Sequence, residues 1–369
     1  MLIKFAVTNY RGFRDRIEWD LTKTSNYEFN TYSVREGVIK NGIIYGQNGC
    51  GKSNFALALF DIVNHLSLKW KLPNYYQNFI YAGDINNSNG VVRFEYTFKI
   101  DNTIIEYQYS KNKNGVIVQE QLSCSGDMIF DRKDKDIYIN SKYFEINSTL
   151  QKELLDSANN ISVITFIRSK VTLRKEHFLN RLQDFVDTML WFKSLDERQF
   201  IGLDYNVTDI EQYIILNDLV QDFEEFVNRI SNQNFRFATA KREDTNLDCL
   251  IGEQRIHFLS IASTGTKSLE LLYYWVKQLN KASFVFIDEF DAFYHYKLSF
   301  NICKELFQLG CQVFVSSHNT YLMSNDLLRP DCNFIIDNNK IKALNECTEK
   351  ELRFGHNIEK LFRGNTFVV

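Results

Sequence analysis

The chain has 369 residues, 44% hydrophobic and 24% charged, an ordinary globular composition sufficient for one large domain or two smaller ones. With 43 Lys and Arg against 46 Asp and Glu the net charge is −3, so no global basic field advertises a nucleic-acid partner. A Pro-rich linker is excluded by the presence of only two prolines, Pro73 and Pro330, and no apolar run approaches the ~18 residues needed to cross a bilayer.

Lys4 and Arg11 interrupt the opening MLIKFAVTNYRGF, which predicts a first strand and not a secretory leader. Residues 2–21 alternate in two short pieces, and 38–45 form an apolar run ending on Gly46. From Asn54 to Leu68 the positions Phe55, Leu59, Val63 and Leu66 keep helical spacing, so the first unit is strand, glycine loop, helix. Between 91 and about 140 the period changes to two. Val92, Phe94, Tyr96, Phe98 and Ile100 share a face, and further runs at 103–109, 116–122 and 136–139 predict an antiparallel meander with one wet side.

The pattern then turns helical. Phe178, Leu182, Phe185, Met189 and Phe192 step like a packed seam, and a second helix is predicted from a capping box, Thr208 to Glu211. Residues 161–234 are accordingly expected to be a helical insertion within a discontinuous head, 1–160 and 235–369. Beyond Phe235, a helix near 267–280, a strand at 283–287, a helix at 297–309 and a strand at 312–316 predict crossover units of a parallel sheet. Seven dispersed cysteines without a C-x-x-C predict reduced thiols and a cytoplasmic location.

Gly46-Gln47-Asn48-Gly49-Cys50-Gly51-Lys52-Ser53 matches G-x-x-x-x-G-K-[ST] between a strand and a helix. Glycines let successive N–H groups wrap a phosphate at the positive end of a helix, so Gly46, Asn48, Gly49, Cys50 and Gly51 are expected to cradle ATP. Lys52 would reach the β- and γ-phosphates, and Ser53 would offer its hydroxyl to Mg²⁺. The run Phe284 to Ile287 ends on Asp288-Glu289, at the sheet edge where ligands bind. Asp288 would hold Mg²⁺ and Glu289 would polarise the attacking water; a solvated pair at a strand end is the alternative. Ser263-Thr264-Gly265 precedes a helix, and another apolar strand ends on His318, a candidate partner for the γ-phosphate.

P-loop, S-x-G signature, Asp-Glu strand and histidine, in this order, resemble an ABC-type ATPase head: an α/β fold with a mixed or parallel sheet, an antiparallel β lobe and a helical insertion. Asn9-Tyr10-Arg11-Gly12-Phe13 is similar to the opening of the RecF/SMC branch, which implies that Arg11 lies near the phosphates. Glu289-Phe290-Asp291-Ala292 and Ser317-His318-Asn319-Thr320 resemble OLD-type ATPases of bacterial phage-defence operons. The stretch Leu352 to Leu361 is similar to the tail of abortive-infection ATPases of the AbiL and RloA kind. The resemblance implies a homodimer or larger homo-oligomer sandwiching two ATPs, with Ser263 and Gly265 of one chain on the γ-phosphate held by the other. Tyr294 and His295 fall where the D-loop crosses that seam. The signature departs from L-S-G-G-Q at Ala262, Thr264 and Thr266. Gln77 is the candidate Q-loop metal contact.

OLD nucleases carry a TOPRIM domain after the head. The stretch beyond His318 is too short for one, and its acidic residues form no D-x-D. The expectation is therefore an ATPase subunit of an antiphage complex that gates a separate nuclease effector. The runner-up is a RecF-like repair ATPase that clamps DNA. Leu352, Phe354, Ile358, Leu361 and Phe362 either dock the effector or pack on the head, and Arg168, Lys170, Arg174, Lys175 and His177 either track nucleic acid or form a solvated face.

Overall fold

Two kinds of strand sequence build two kinds of sheet. The computed structural model describes residues 1–67, 80, 90–134, 136–144, 146–157, 161–194, 199–202, 209–292 and 294–369. Alternating segments form a seven-stranded antiparallel sheet in the order Asp136–Ile139, Asp127–Lys133, Ile117–Cys124, Thr103–Asn112, Val91–Ile100, Leu2–Thr8, Ile17–Asp20. Val92, Phe94, Tyr96 and Phe98 are buried while Arg93 is exposed, as a sheet with one covered face requires. The first strand completes the meander by pairing with Val91–Ile100.

Uninterrupted apolar runs form the second seven-stranded sheet. Its inner strands, Met189–Ser194, Phe284–Ile287, Gln312–Ser317, Asn41–Tyr45 and Asn333–Asp337, are parallel neighbours in that order. Gln199–Gly202 and Lys340–Ala343 close the two edges antiparallel. The strand ending at His318 thus separates the P-loop strand from the Asp-Glu strand. Ile287 pairs with Val315, and Ser317 with Tyr45, so all three strands finish at one edge. The fold is the expected α/β P-loop head with an antiparallel lobe.

The predicted seam through Phe192 is corrected. The helix ends at Asp187, and Met189–Ser194 is a strand beside Phe284–Ile287. Met189, Leu190, Trp191 and Phe192 are all buried, because a strand covered on both faces is apolar at every position and happens to match a helical step here. Thr208 lies outside the described residues; Asp209 caps the next helix, Ile210–Leu216, by accepting from the Gln212 N–H.

Aromatic side chains fill the space between the sheets. Trp19 of the antiparallel sheet packs edge-on against Phe55 of the P-loop helix and against Phe314 and Phe334 of the parallel sheet, with centroids 5.6, 4.6 and 5.4 Å away. Gln312, buried, accepts from Leu2 N at 2.7 Å and donates to the Leu2 and Ile39 carbonyls at 2.9 and 3.1 Å.

A buried polar network joins the helix Asp61–Leu66 to the lobe. Asp61 accepts from Tyr109 at 2.7 Å and Lys111 at 2.6 Å. His65 meets the Tyr107 hydroxyl at 2.7 Å, and Tyr107 donates to Glu120, which also accepts from Val163 N. Replacing one partner of a buried pair leaves the other charge uncompensated. Lys111→Met is therefore expected to lower unfolding free energy by about 3–5 kcal/mol in urea titration, and the double variant with Asp61→Asn is expected to recover part of it. An unchanged midpoint for Lys111→Met would show that this pair does not hold the lobe.

Candidate functional site

The P-loop departs from the buried strand Asn41–Tyr45 and enters the helix Lys52–Leu59 at Gly51. Gln47, Asn48, Gly49 and Ser53 are exposed, whereas Lys52 is buried and donates to the carbonyls of Gly46 at 2.9 Å and Gln47 at 3.2 Å. Gly49 has φ +80° and open space where a Cβ would stand; Gly51 has φ +105° and faces the Phe13 ring, 2.7 Å from such a Cβ. At Gly46 a Cβ would run into Cys50 Sγ and, at 2.8 Å, the Ile336 carbonyl oxygen. Burial pushes the Cys50 thiol up, against the opposing charge of Lys52.

A tight hairpin places Arg11 beside this loop. Tyr10 and Phe13 exchange backbone hydrogen bonds of 2.8 and 2.7 Å, with Arg11 at φ +46° between them. Arg11 donates to Asn54, the residue after Ser53, at 3.3 Å. Phe13, quoted from the sequence only as part of the opening motif, has a buried ring that meets Gly51.

Asp288 and Glu289 leave the strand Phe284–Ile287 on the same edge. Asp288 is 2% exposed. Burial raises its carboxyl above the usual range, opposed by the hydrogen bond from Ser316, the nearby Ser53 hydroxyl and the Lys52 charge. The P-loop hydroxyl is near enough to act on this carboxylate, and the two are hard oxygen donors of the kind Mg²⁺ takes. Ser316 Oγ donates to Asp288 Oδ1 and accepts from the Glu289 N–H at 2.8 Å. Glu289 sits in the left-handed region at φ +44°, its side chain half exposed and 3.5 Å from His318 Nε2. Ser317 Oγ, next along, donates to Asp291 at 2.7 Å. Ser316 was not singled out from the sequence and Ser317 only as part of a family resemblance, since a serine ending an apolar strand carries no signal of its partner.

Ser263 lies elsewhere. It caps the helix Thr264–Gln278 by accepting from Thr266 N at 3.2 Å, with Gly265 in the first turn. Ser263 lines a cleft of about 510 Å³ together with Gln233, His295, Tyr296 and Tyr321. Gly46, Gln47 and His318 line a different one of about 590 Å³. Tyr294 is largely buried and its hydroxyl is pushed up to about 12 by that burial. Gln77 lies outside the described residues.

Two surface readings are narrowed. In the tail, Leu352 and Ile358 are buried in the core, Leu361 and Phe362 pack against it, and exposed Phe354 stacks edge-on with Phe29 at 5.2 Å; these residues are mainly packing. Of the basic cluster, Lys170 pairs with Glu153 at 3.0 Å, Arg168 donates to Asn180, and His177 caps the helix Phe178–Asp187. Among the described residues no helix is long and apolar enough to cross a membrane.

Alanine at either positive-φ glycine costs about 1–2 kcal/mol of backbone strain. Gly49→Ala is expected to stay near that value, while Gly51→Ala should cost measurably more because Phe13 must also move. Equal shifts in thermal or urea midpoints would remove Phe13 from the account.

Comparisons with known proteins identify the family. No curated protein matches the chain. Among solved structures, the SMC head domain from Thermotoga maritima aligns over 92% of this chain and 97% of its own, with 15% identity and a TM-score of 0.45. An SmcHead bound to the C-winged helix domain of ScpA aligns over 94% and 98%, with 15% identity and a TM-score of 0.48. The Smc head with an extended coiled coil bound to the C-terminal domain of ScpA, from Pyrococcus furiosus, aligns over 94% and 97%, with 13% identity and a TM-score of 0.44. A family model matches residues 43–324, from the P-loop strand to beyond His318, and the chain belongs to that family, described as "AAA domain, putative AbiEii toxin, Type IV TA system".

Proposed function

We propose that this chain binds and hydrolyses Mg–ATP, closes as a homodimer or higher homo-oligomer around the nucleotide, and uses that closure to gate a separate toxic nuclease in an antiphage complex. The observation that carries the ATPase part is the convergence of the P-loop, with its buried Lys52, and of Asp288, Glu289 and His318 at one edge of the parallel sheet. The glycine cradle with open space at Gly49 and the hydroxyl–carboxylate donor set fit a nucleotide phosphate and Mg²⁺.

In this reading Arg11, the P-loop amides of Gly46 to Gly51 and Lys52 hold the phosphates, and Ser53 and Asp288 hold Mg²⁺, with Gln77 a further candidate. The metal supplies charge neutralisation at the phosphate oxygens. Glu289 accepts a proton from the attacking water, and His318, within ion-pair reach of Glu289, donates to the transferred group. Ser263 and Gly265 serve the partner chain's nucleotide; the position of Ser263 on a cleft apart from the P-loop supports a contribution in trans. Ser263 already caps its own helix, so the amides of that first turn are the stronger phosphate donors.

The family description, which names a toxin and a TA system, supports the toxic-complex part. The packing of Leu352, Ile358, Leu361 and Phe362 on the head supports a structural role for these tail residues. The test is purification of the chain with its operon neighbours, wild type against Lys52→Ala. Nucleotide binding and ATPase activity are expected in the wild type and lost, by at least about 100-fold in affinity, in Lys52→Ala. A nuclease-like polypeptide is expected to co-purify. Unchanged affinity in Lys52→Ala would remove the nucleotide assignment, and recovery of the chain with duplex DNA alone would favour the repair-clamp reading.

A further inference from the structure

The turn after Glu289 holds a carboxylate that no step above uses. Asp291 is partly buried, and its Oδ2 accepts from Ser317 Oγ at 2.7 Å. Ser317 Oγ in turn accepts from the Asn319 N–H at 2.8 Å. The residues on both sides of His318 are therefore fastened to one carboxylate on the neighbouring strand's turn. Asn319 extends the arrangement, since its Oδ1 accepts from Tyr321 N at 3.1 Å and starts the turn Thr320–Leu322. The turn carrying Asp291 is itself closed by Ala292 N to the Glu289 carbonyl and Tyr294 N to the Asp291 carbonyl, each at 3.1 Å.

The adjacent serine performs the matching task one residue earlier. Ser316 fixes Asp288 and the Glu289 amide, and Phe290 N donates to the Ser316 carbonyl at 3.3 Å. Two consecutive serines thus clasp two consecutive parts of one turn, and the pair left between them is Glu289 and His318, 3.5 Å apart. Both of those side chains are half exposed and long enough to wander. Without anchors they would sample many rotamers, and catalytic geometry is lost with displacements of about 1 Å.

We propose that Asp291 is a positioning residue of the nucleotide site, holding the His318 loop at its working distance from Glu289 through Ser317 and Asn319. This rests on the ATPase reading given above. Burial raises the Asp291 carboxyl, and the hydrogen bond from Ser317 opposes the shift, which agrees with a carboxylate kept in place by a hydroxyl donor.

The test uses the full chain as wild type, Asp291→Ala, Asp291→Asn and Ser317→Ala. Three quantities are read: Mg–ATP affinity, kcat, and the NMR resonance of the His318 imidazole without nucleotide. Asp291→Ala and Ser317→Ala should lower kcat roughly 10- to 100-fold with affinity changed by less than about threefold, and should shift or broaden the His318 signal. Asp291→Asn keeps an acceptor oxygen for Ser317 and should restore most of both. An unaltered kcat in Asp291→Ala, or an asparagine variant as impaired as alanine, overturns the proposal. If the wild type itself hydrolyses no ATP, the ATPase reading fails, and the His318 resonance alone decides the clasp: an unchanged signal in both Asp291→Ala and Ser317→Ala refutes it. Should Asp291→Ala not fold, Ser317→Ala supplies the same readouts.

Discussion

A single hydroxyl organises the centre of this molecule. Ser316 donates a hydrogen bond to Asp288 and accepts one from the Glu289 N–H, so a buried carboxylate is stabilised and a strained left-handed residue is pinned by the same side chain. Both effects are needed. A carboxylate 2% exposed costs free energy unless hydrogen-bonded, and a non-glycine residue at φ +44° persists only where its surroundings over-determine it. The parallel pairing of Phe284–Ile287 with Gln312–Ser317 delivers the serine to the turn, and the P-loop strand on the other side delivers Ser53.

The rest of the fold keeps those strand ends in register. Gln312, at the opposite end of the histidine strand, is bonded to Leu2 and Ile39 and so ties the parallel sheet to the first strand of the antiparallel one. Trp19 wedges between the P-loop helix and both Phe314 and Phe334. Behind the helix, Asp61 and His65 reach into the lobe through Tyr109, Lys111 and Tyr107. These contacts fix the helix Asp61–Leu66, which follows the P-loop helix, to the lobe, since none can be dropped without leaving an unpaired buried group.

Local chemistry was readable from the sequence, and tertiary chemistry was not. The P-loop declares itself because its glycines, lysine and serine act within one turn of chain, and Asp288, Glu289 and His318 follow from apolar strands that end abruptly. The clasp stayed hidden because Ser316 and Ser317 look alike on paper and their partners lie on another strand. Met189–Ser194 was misread since a strand buried on both faces has no period of its own. Phe13 could be seen as apolar, but its contact with Gly51 depends on a hairpin folding back onto the loop. The tail's fate turned on Leu352 and Ile358 finding space in the core, which spacing alone does not reveal.

The claim that most of this account depends on is that the site is completed by a second copy of the chain. Its most direct measurement is the mass in solution of Glu289→Gln, by sedimentation or light scattering, in Mg–ATP and in Mg–ADP. A dimer or larger closed assembly is expected with ATP and its loss with ADP, because in the proposed arrangement the γ-phosphate joins one chain's P-loop to the other's Thr264–Gln278 helix. An identical mass in both nucleotides, with ATP shown to be bound, would contradict it.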